Sequence, residues 1–119
     1  MNYTVLIYQS PADFAARTDP ARREAFWGSF LPYMKALNDA GIVVGSAGLQ
    51  PPETATTIRL SDGKVVQDGP YADTKEQLGG MFILNVPDLD TALNWASRCP
   101  AGEGTVVEVR PNLPTAVLT

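Results

Sequence analysis

Residues 79–99 read GGMFILNVPDLDTALNWASRC, and the fold turns on how this stretch is read. Met81 to Val86 is a mostly apolar run with the length of a buried strand. Gly79-Gly80 introduces it and Pro87 ends it. Asp88 then stands where a helix N-cap belongs, its carboxylate placed to accept a backbone N–H of the first turn. Leu89, Ala92, Leu93, Ala96 and Cys99 recur at helical spacing and mark one apolar face, and Pro100 stops the helix. One strand and one helix are thus joined by a single cap. Thr105 to Arg110 follows as the last strand, with the tail beyond Pro111 peripheral.

The N-terminal half also opens with a strand followed by a helix, without internal sequence repeat. Tyr3 to Tyr8, YTVLIY, is a strand apolar on both faces and therefore central, and Ser10-Pro11 ends it. Asp19-Pro20 is a helix start, because proline at the first helical position gives up no needed hydrogen bond. Phe26, Phe30, Tyr33, Met34 and Leu37 then fall on one helical face, and Gly41 caps the end. Pro32 lies inside this helix and crowds the carbonyl of Gly28, so a kink is expected, with two shorter helices as the alternative. Ile42 to Ala47 is a strand, Gln50-Pro51-Pro52 a loop, and Thr56 to Leu60 a further strand. Ser61-Asp62-Gly63 makes a hairpin turn and Lys64 to Gln67 returns.

Strand, helix, strand, hairpin, strand, helix, strand is the order of a ferredoxin-like α+β fold, a split βαβ with an added hairpin. The expected domain is single, 1–111, with 112–119 as a C-terminal tail. Both helices then cover one face of a mostly antiparallel sheet. The other face needs cover for its apolar side chains, and a second copy of the chain is the simplest source, so a homodimer is expected.

Composition excludes several classes of function. The 119 residues carry nine basic and thirteen acidic side chains, a net charge of −4. There is no basic run beyond Arg22-Arg23, which removes the footprint that phosphate contacts need and sets nucleic acid aside. No apolar run approaches the roughly 20 residues of a membrane span, and Met1-Asn2-Tyr3 leads straight into a strand, so a cytoplasmic protein without membrane contact is expected. The chain has no histidine and one cysteine, Cys99. Serine–histidine and cysteine–histidine nucleophiles, imidazole metal ligation and a thiolate zinc site all fall away. No cofactor and no metal are expected, and acid–base chemistry has to rest on Asp, Glu, Lys, Tyr or water.

Residues 68–80, DGPYADTKEQLGG, concentrate titratable groups between two strands. They read in two ways. As architecture, Asp68 accepts backbone N–H groups in an Asx-turn, Asp73 and Glu76 form a capping box, and Gly79-Gly80 permits close backbone approach. As a ligand-facing loop, Asp68 is the candidate catalytic base, and Tyr71, Asp73, Lys75 and Glu76 are candidate ligand-binding residues, with Lys75 suited to an anionic group. Arg59, Glu108 and Arg110 alternate with apolar positions and read as a solvated sheet face, or as the wall of a pocket at a dimer seam, where Arg59 would also meet ligand. Cys99 reads as a small core residue, and Trp27 and Trp95 as core or interface.

The tetrapeptide Asp68-Gly69-Pro70-Tyr71 resembles the motif of the DGPF domain family within the YCII-related superfamily, with Tyr71 where the family has phenylalanine. The likeness extends over Met1 to Tyr8, Gly48 to Pro52 with Ala55-Thr56-Thr57, Asp88 to Pro100, and Glu108-Val109-Arg110-Pro111. It implies a dimeric α+β barrel and bacterial proteins of mostly unknown function, some encoded beside sigma factors. Some YCII-related proteins carry a His and Asp pair proposed as catalytic. The histidine would fall between Trp27 and Phe30, and with no histidine present that pair cannot form here. Two functions follow as expectations: a dimeric small-molecule-binding or regulatory module, or a metal-free lyase or isomerase acting on an oxygenated or aromatic small molecule.

Overall fold

A strand from Asn2 to Gln9 (β1) runs through the middle of a four-stranded sheet. The computed structural model describes residues 1–61 and 63–114. The remaining elements, in chain order, are α1 (Pro11–Ala16), α2 (Arg23–Asp39), β2 (Val43–Gly48), a 3-10 turn (Pro52–Thr54), β3 (Thr56–Arg59), β4 (Val65–Asp68), β5 (Gln77–Asn85), α3 (Leu89–Ala96) and β6 (Val106–Pro111). The sheet order is β2-β5-β1-β6, with every neighbouring pair antiparallel. Two strand–helix–strand units interleave in this order, the ferredoxin-like arrangement. β3 and β4 form a separate two-stranded sheet.

The period-two alternation of β1 sorts its side chains cleanly. Tyr3, Val5, Ile7 and Gln9 are buried, while Asn2, Thr4, Leu6 and Tyr8 are half-buried on the opposite face. The inward set meets Phe82 and Leu84 of β5, Tyr33 and Leu37 of α2, and Ala92 and Ala96 of α3 in one core. Asp88 caps α3 as its sequence position suggests, accepting the Thr91 N–H at 2.8 Å. The Tyr33 hydroxyl donates to the Trp95 carbonyl at 2.9 Å and ties α2 to α3. On the other face, Arg110 pairs with Glu108 at 2.9 Å in solvent.

Several sequence expectations need correction. Ser10-Pro11 ends β1 but also starts α1, which the sequence reading left out. Ser10 accepts from Asp13 N at 3.2 Å and Asp13 accepts from Ser10 N at 3.3 Å, a reciprocal capping box with Pro11 in the first turn. Asp19-Pro20 does not open α2. The Asp19 carboxylate is used on the Ala21 N–H and the Arg22 guanidinium, both at 2.9 Å, which closes a turn, and the helix proper begins at Arg23. Pro32 sits inside one continuous helix rather than dividing two. Gly41 does terminate it, at φ 70°, donating to Asn38 O at 3.0 Å. Lys64 is not yet strand: at φ 59° it shares the left-handed region with Gly63, and β4 starts at Val65. The hairpin reading of Asp62 lies outside the described residues.

β5 begins four residues before Met81, and Gly79 and Gly80 lie within it rather than ahead of it. Ile7 pairs with Gly80 and Tyr8 with Leu78, so Gly79 is the extra residue of a β-bulge. The radius of gyration is 16.0 Å, against about 13.5 Å for a compact domain of this length. The molecule is a slab of 48 × 43 × 18 Å, and the β3–β4 hairpin leaves Ile58, Val65 and Val66 exposed. Among the described residues no helix is long and apolar enough to cross a membrane.

Candidate functional site

The inward parity of β1 ends on a polar residue, Gln9, which is 3% exposed. α1 follows at once and turns the chain, so that its C-cap residue, Arg17, comes back against the end of β1. The Arg17 guanidinium donates to three neutral oxygens. Nη2 reaches Gln9 Oε1 and, at 3.0 Å, the Gly79 carbonyl; Nη1 reaches the Leu49 carbonyl. Its carbon lies 4.8 Å from the centre of the Phe14 ring. Arg17 Nε is buried and, among the described residues, has no hydrogen-bond partner. Among the described residues no carboxylate lies within ion-pair distance of Arg17. Burial lowers its pKa from the ordinary value, and a guanidinium remains charged through such a shift.

Gly79 makes this convergence possible. A Cβ there would overlap Gln9 Oε1 and stand 2.9 Å from Arg17 Nη2. The bulge thus supplies both a carbonyl acceptor and the space for two polar side chains.

Arg17 and Gln9 stand in the wall of a cavity of about 150 Å³ between α2 and the sheet. Phe26, Trp27 and Phe30 of α2 and Phe82 of β5 supply its aromatic surface. Trp27 packs edge-on to Phe26 with ring centres 5.0 Å apart, and its Nε1–H donates to the Arg17 carbonyl at 3.0 Å. Edge-to-face contacts continue from Phe30 to Tyr33 and from Tyr33 to Phe82, linking the cavity wall to the core. Arg17 is the one charged side chain among the lining residues.

Beside this cavity Asp13, 5% exposed, ties α1 to the loop before β6. It accepts from Glu103 N at 3.2 Å and Thr105 Oγ1 at 2.9 Å, in addition to Ser10 N. Gly102 and Gly104 pack so closely on Asp13 and Ser10 that neither has room for a Cβ.

The residues singled out from sequence lie elsewhere. Asp68 ends β4 opposite Thr56 and is exposed, and among the described residues its carboxylate accepts no hydrogen bond, so the Asx-turn is not formed. Gly69 shapes the chain instead, at φ 93°, donating to Ala55 O at 2.7 Å and accepting from Thr57 Oγ1 at 2.8 Å. The expected capping box of Asp73 and Glu76 is also not formed, because the segment contains no helix. Its organiser is Gln77, whose Nε2 donates to Ala72 O at 2.8 Å and Thr74 O at 2.9 Å. Asp73 and Lys75 are exposed and Glu76 is half-buried. The structure does bring Arg59 and Tyr71 together, guanidinium to ring centre 5.7 Å. Tyr71, 73% exposed, also edges an open groove with Leu49, Pro51 and Gln77.

Gln9, Arg17 and Asp13 were missed. Gln9 was legible as the next inward position after Tyr3, Val5 and Ile7, and Asp13 as the third residue after a Ser-Pro cap. Nothing in the sequence distinguishes Arg17, whose place depends on a tertiary turn. Trp27, read as core or interface, proves to be cavity wall. Cys99 is half-buried against the core, and burial pushes its thiol up to about 11.

An uncharacterized protein of Rhizobium meliloti (strain 1021) is 42% identical over 77 residues, and the chain spans 61% of the length of that relative. Among solved structures, the chain is similar to 5-chloro-2-hydroxyhydroquinone dehydrochlorinase from Burkholderia phenoliruptrix AC1100 in complex with 2,5-dihydroxybenzoquinone. Identity there is 15%, coverage 98% of each chain and the TM-score 0.47. Residues 1–115 match the YCII-related domain, and the chain belongs to that family.

Proposed function

We propose that this protein is a homodimeric small-molecule-binding module of the DGPF branch, with its ligand site in the cavity beside α2. The observation that carries the reading is the pairing of an aromatic wall with two convergent polar side chains, Gln9 and Arg17, in one concavity of about 150 Å³. Ligand sites combine apolar surface with a few placed polar groups in this way. A cavity of about 150 Å³ with aliphatic and aromatic walls is large enough for a benzene-sized molecule. Among the described residues no Asp or Glu lines the cavity, which favours binding over proton abstraction there. Assignment to the DGPF branch rests on Asp68-Gly69-Pro70-Tyr71 and on Glu108-Val109-Arg110-Pro111. The homodimer is supported by the half-buried Leu6, Tyr8, Met81 and Ile83 on the sheet face opposite the helices, and by the exposed apolar hairpin.

Binding is tested by titrating single-ring fragments into 15N-labelled protein. Shifts confined to Gly79, Gly80 and the Trp27 indole would support the cavity, and a set of rings that moves none of these signals would refute it. Sedimentation equilibrium should give twice the mass of one chain at micromolar concentration; a monomer there would remove the dimer.

A further inference from the structure

We infer that the ligand of this cavity is an anion, a single planar ring bearing a carboxylate or ionised hydroxyl, and that Arg17 is the residue that receives its charge. The inference rests on the cavity being the ligand site and adds to it the class of molecule.

The argument starts from what Arg17 lacks. Arg17 is half-buried, and a cation partly withdrawn from water gains from an anionic partner, because neutral acceptors leave its charge uncompensated. Arg17 is held by three oxygens, from Gln9, Leu49 and Gly79, and all three are neutral. Among the described residues the ion pairs are Arg22–Asp19, Lys35–Asp39 and Arg110–Glu108, and none includes Arg17. Asp13, four residues back and buried, is already committed to Ser10 N, Glu103 N and Thr105 Oγ1. Among the described residues Arg17 Nε has no acceptor; it has no contact with solvent, so it adds uncompensated charge without itself facing the ligand.

The guanidinium is fixed as well as unpaired. Its carbonyl contacts come from β5 and from Leu49, the residue after β2, and its ring contact comes from Phe14. A cation held in place before ligand arrives loses little freedom on binding. The rest of the cavity specifies the ligand body: Phe26, Trp27, Phe30 and Phe82 offer faces and edges to a flat ring, and the volume admits one ring. Gln9 adds an amide beside the guanidinium, suited to a neighbouring oxygen on the same ring.

Benzoate and benzyl alcohol are the probes, followed by nuclear magnetic resonance on the intact protein. Both present one ring, and only the first carries charge at pH 7. Benzoate should shift Gly79, Gly80 and the Trp27 indole and bind at least about tenfold more tightly than benzyl alcohol, the usual margin for a charge-assisted hydrogen bond. Arg17→Met should remove that margin, and Arg17→Lys should keep part of it. Equal affinity of the two probes for the unmodified protein would overturn the anion assignment while leaving the cavity as a neutral-ring site, whether or not either variant folds. Failure of both probes to shift the cavity signals would overturn both the assignment and the cavity reading. A benzoate preference that survives intact in a folded Arg17→Met would assign the charge to another residue.

Discussion

Gly79→Ala is the most exacting test of how the cavity is built. The added methyl would overlap Gln9 Oε1 and sit 2.9 Å from both Gln9 Cδ and Arg17 Nη2. Gln9 is buried, so its amide cannot simply swing into solvent. Two costs combine. Forcing a methyl into filled space costs about 1–3 kcal/mol. Displacing Gln9 from Arg17 breaks a charge-assisted hydrogen bond, a further loss of about 1.5–3 kcal/mol when a charged partner is left unmatched. Partial relaxation makes these overlap, and we expect a net destabilisation of about 2–4 kcal/mol. Equilibrium urea unfolding reads it, as a fall in midpoint with unchanged slope. Gly28→Ala supplies the internal control: it lies in α2 with nothing within 4 Å of a new Cβ, and there alanine should stabilise by up to about 1 kcal/mol through helix propensity. The same substitution should therefore act with opposite sign at two positions. A Gly79→Ala protein as stable as the parent would refute the close packing of Gln9 and Arg17 on the bulge.

Three further outcomes follow from the geometry. Tyr33→Phe deletes the hydroxyl that donates to Trp95 O at 2.9 Å; it should cost about 1 kcal/mol in the same unfolding assay while leaving the ring contacts in place. Asp13→Ala leaves the Glu103 N–H and the Thr105 hydroxyl without their acceptor and removes half of the α1 capping box, so a loss of about 2–4 kcal/mol is expected, with hydrogen exchange accelerated at Glu103. Cys99, its thiol pushed up to about 11 by burial, should react with a disulfide reagent at pH 8 far more slowly in the folded protein than in urea. The sign of the linked stability is set by the same shift. The folded state holds this proton more tightly than the unfolded chain does, so the contribution is complete below about pH 9 and declines as pH rises toward 11. A urea midpoint that rose across that window in the parent but not in Cys99→Ala would contradict it.

The fold was largely legible because its signals are local. An apolar run with no polar face placed β1 at the centre, Asp88 announced α3, and Gly41 announced the end of α2, each by chemistry contained within a few residues. Boundaries slipped where a side chain had two possible uses: Asp19 can cap a helix or close a turn, and hydrogen bonds to Ala21 and Arg22 decided for the turn. The site was far less legible. Sequence drew attention to Asp68, Tyr71, Asp73, Lys75 and Glu76 because titratable groups crowd there, yet they stand mostly in solvent. The cavity is assembled from an end of β1, a C-cap, one helix face and a bulge, which are distant in the chain. Readable signs were confined to single elements: the helical face of Phe26 and Phe30, the close approach that Gly79-Gly80 permits, and the parity of Gln9 with Tyr3, Val5 and Ile7.

The polar segment and the cavity are nevertheless joined mechanically. Gln77 gathers residues 72–74 with its side chain and begins β5 with its backbone, two residues before the bulge. The Gly79 carbonyl accepts both from Arg17 and, at 2.9 Å, from the Leu49 N–H, while the Leu49 carbonyl accepts from Arg17 in return. Leu49 in turn faces the groove edged by Tyr71. A closed ring of hydrogen bonds, Arg17 to Gly79 to Leu49 to Arg17, therefore sits between the loop and the cavity. Gln77 and Gly79 lie two residues apart on β5, and the Gly79 carbonyl is one of the oxygens that hold the guanidinium. Gln77, the first residue of β5, thus spends its side chain on the backbone of the polar connection before it, at Ala72 and Thr74.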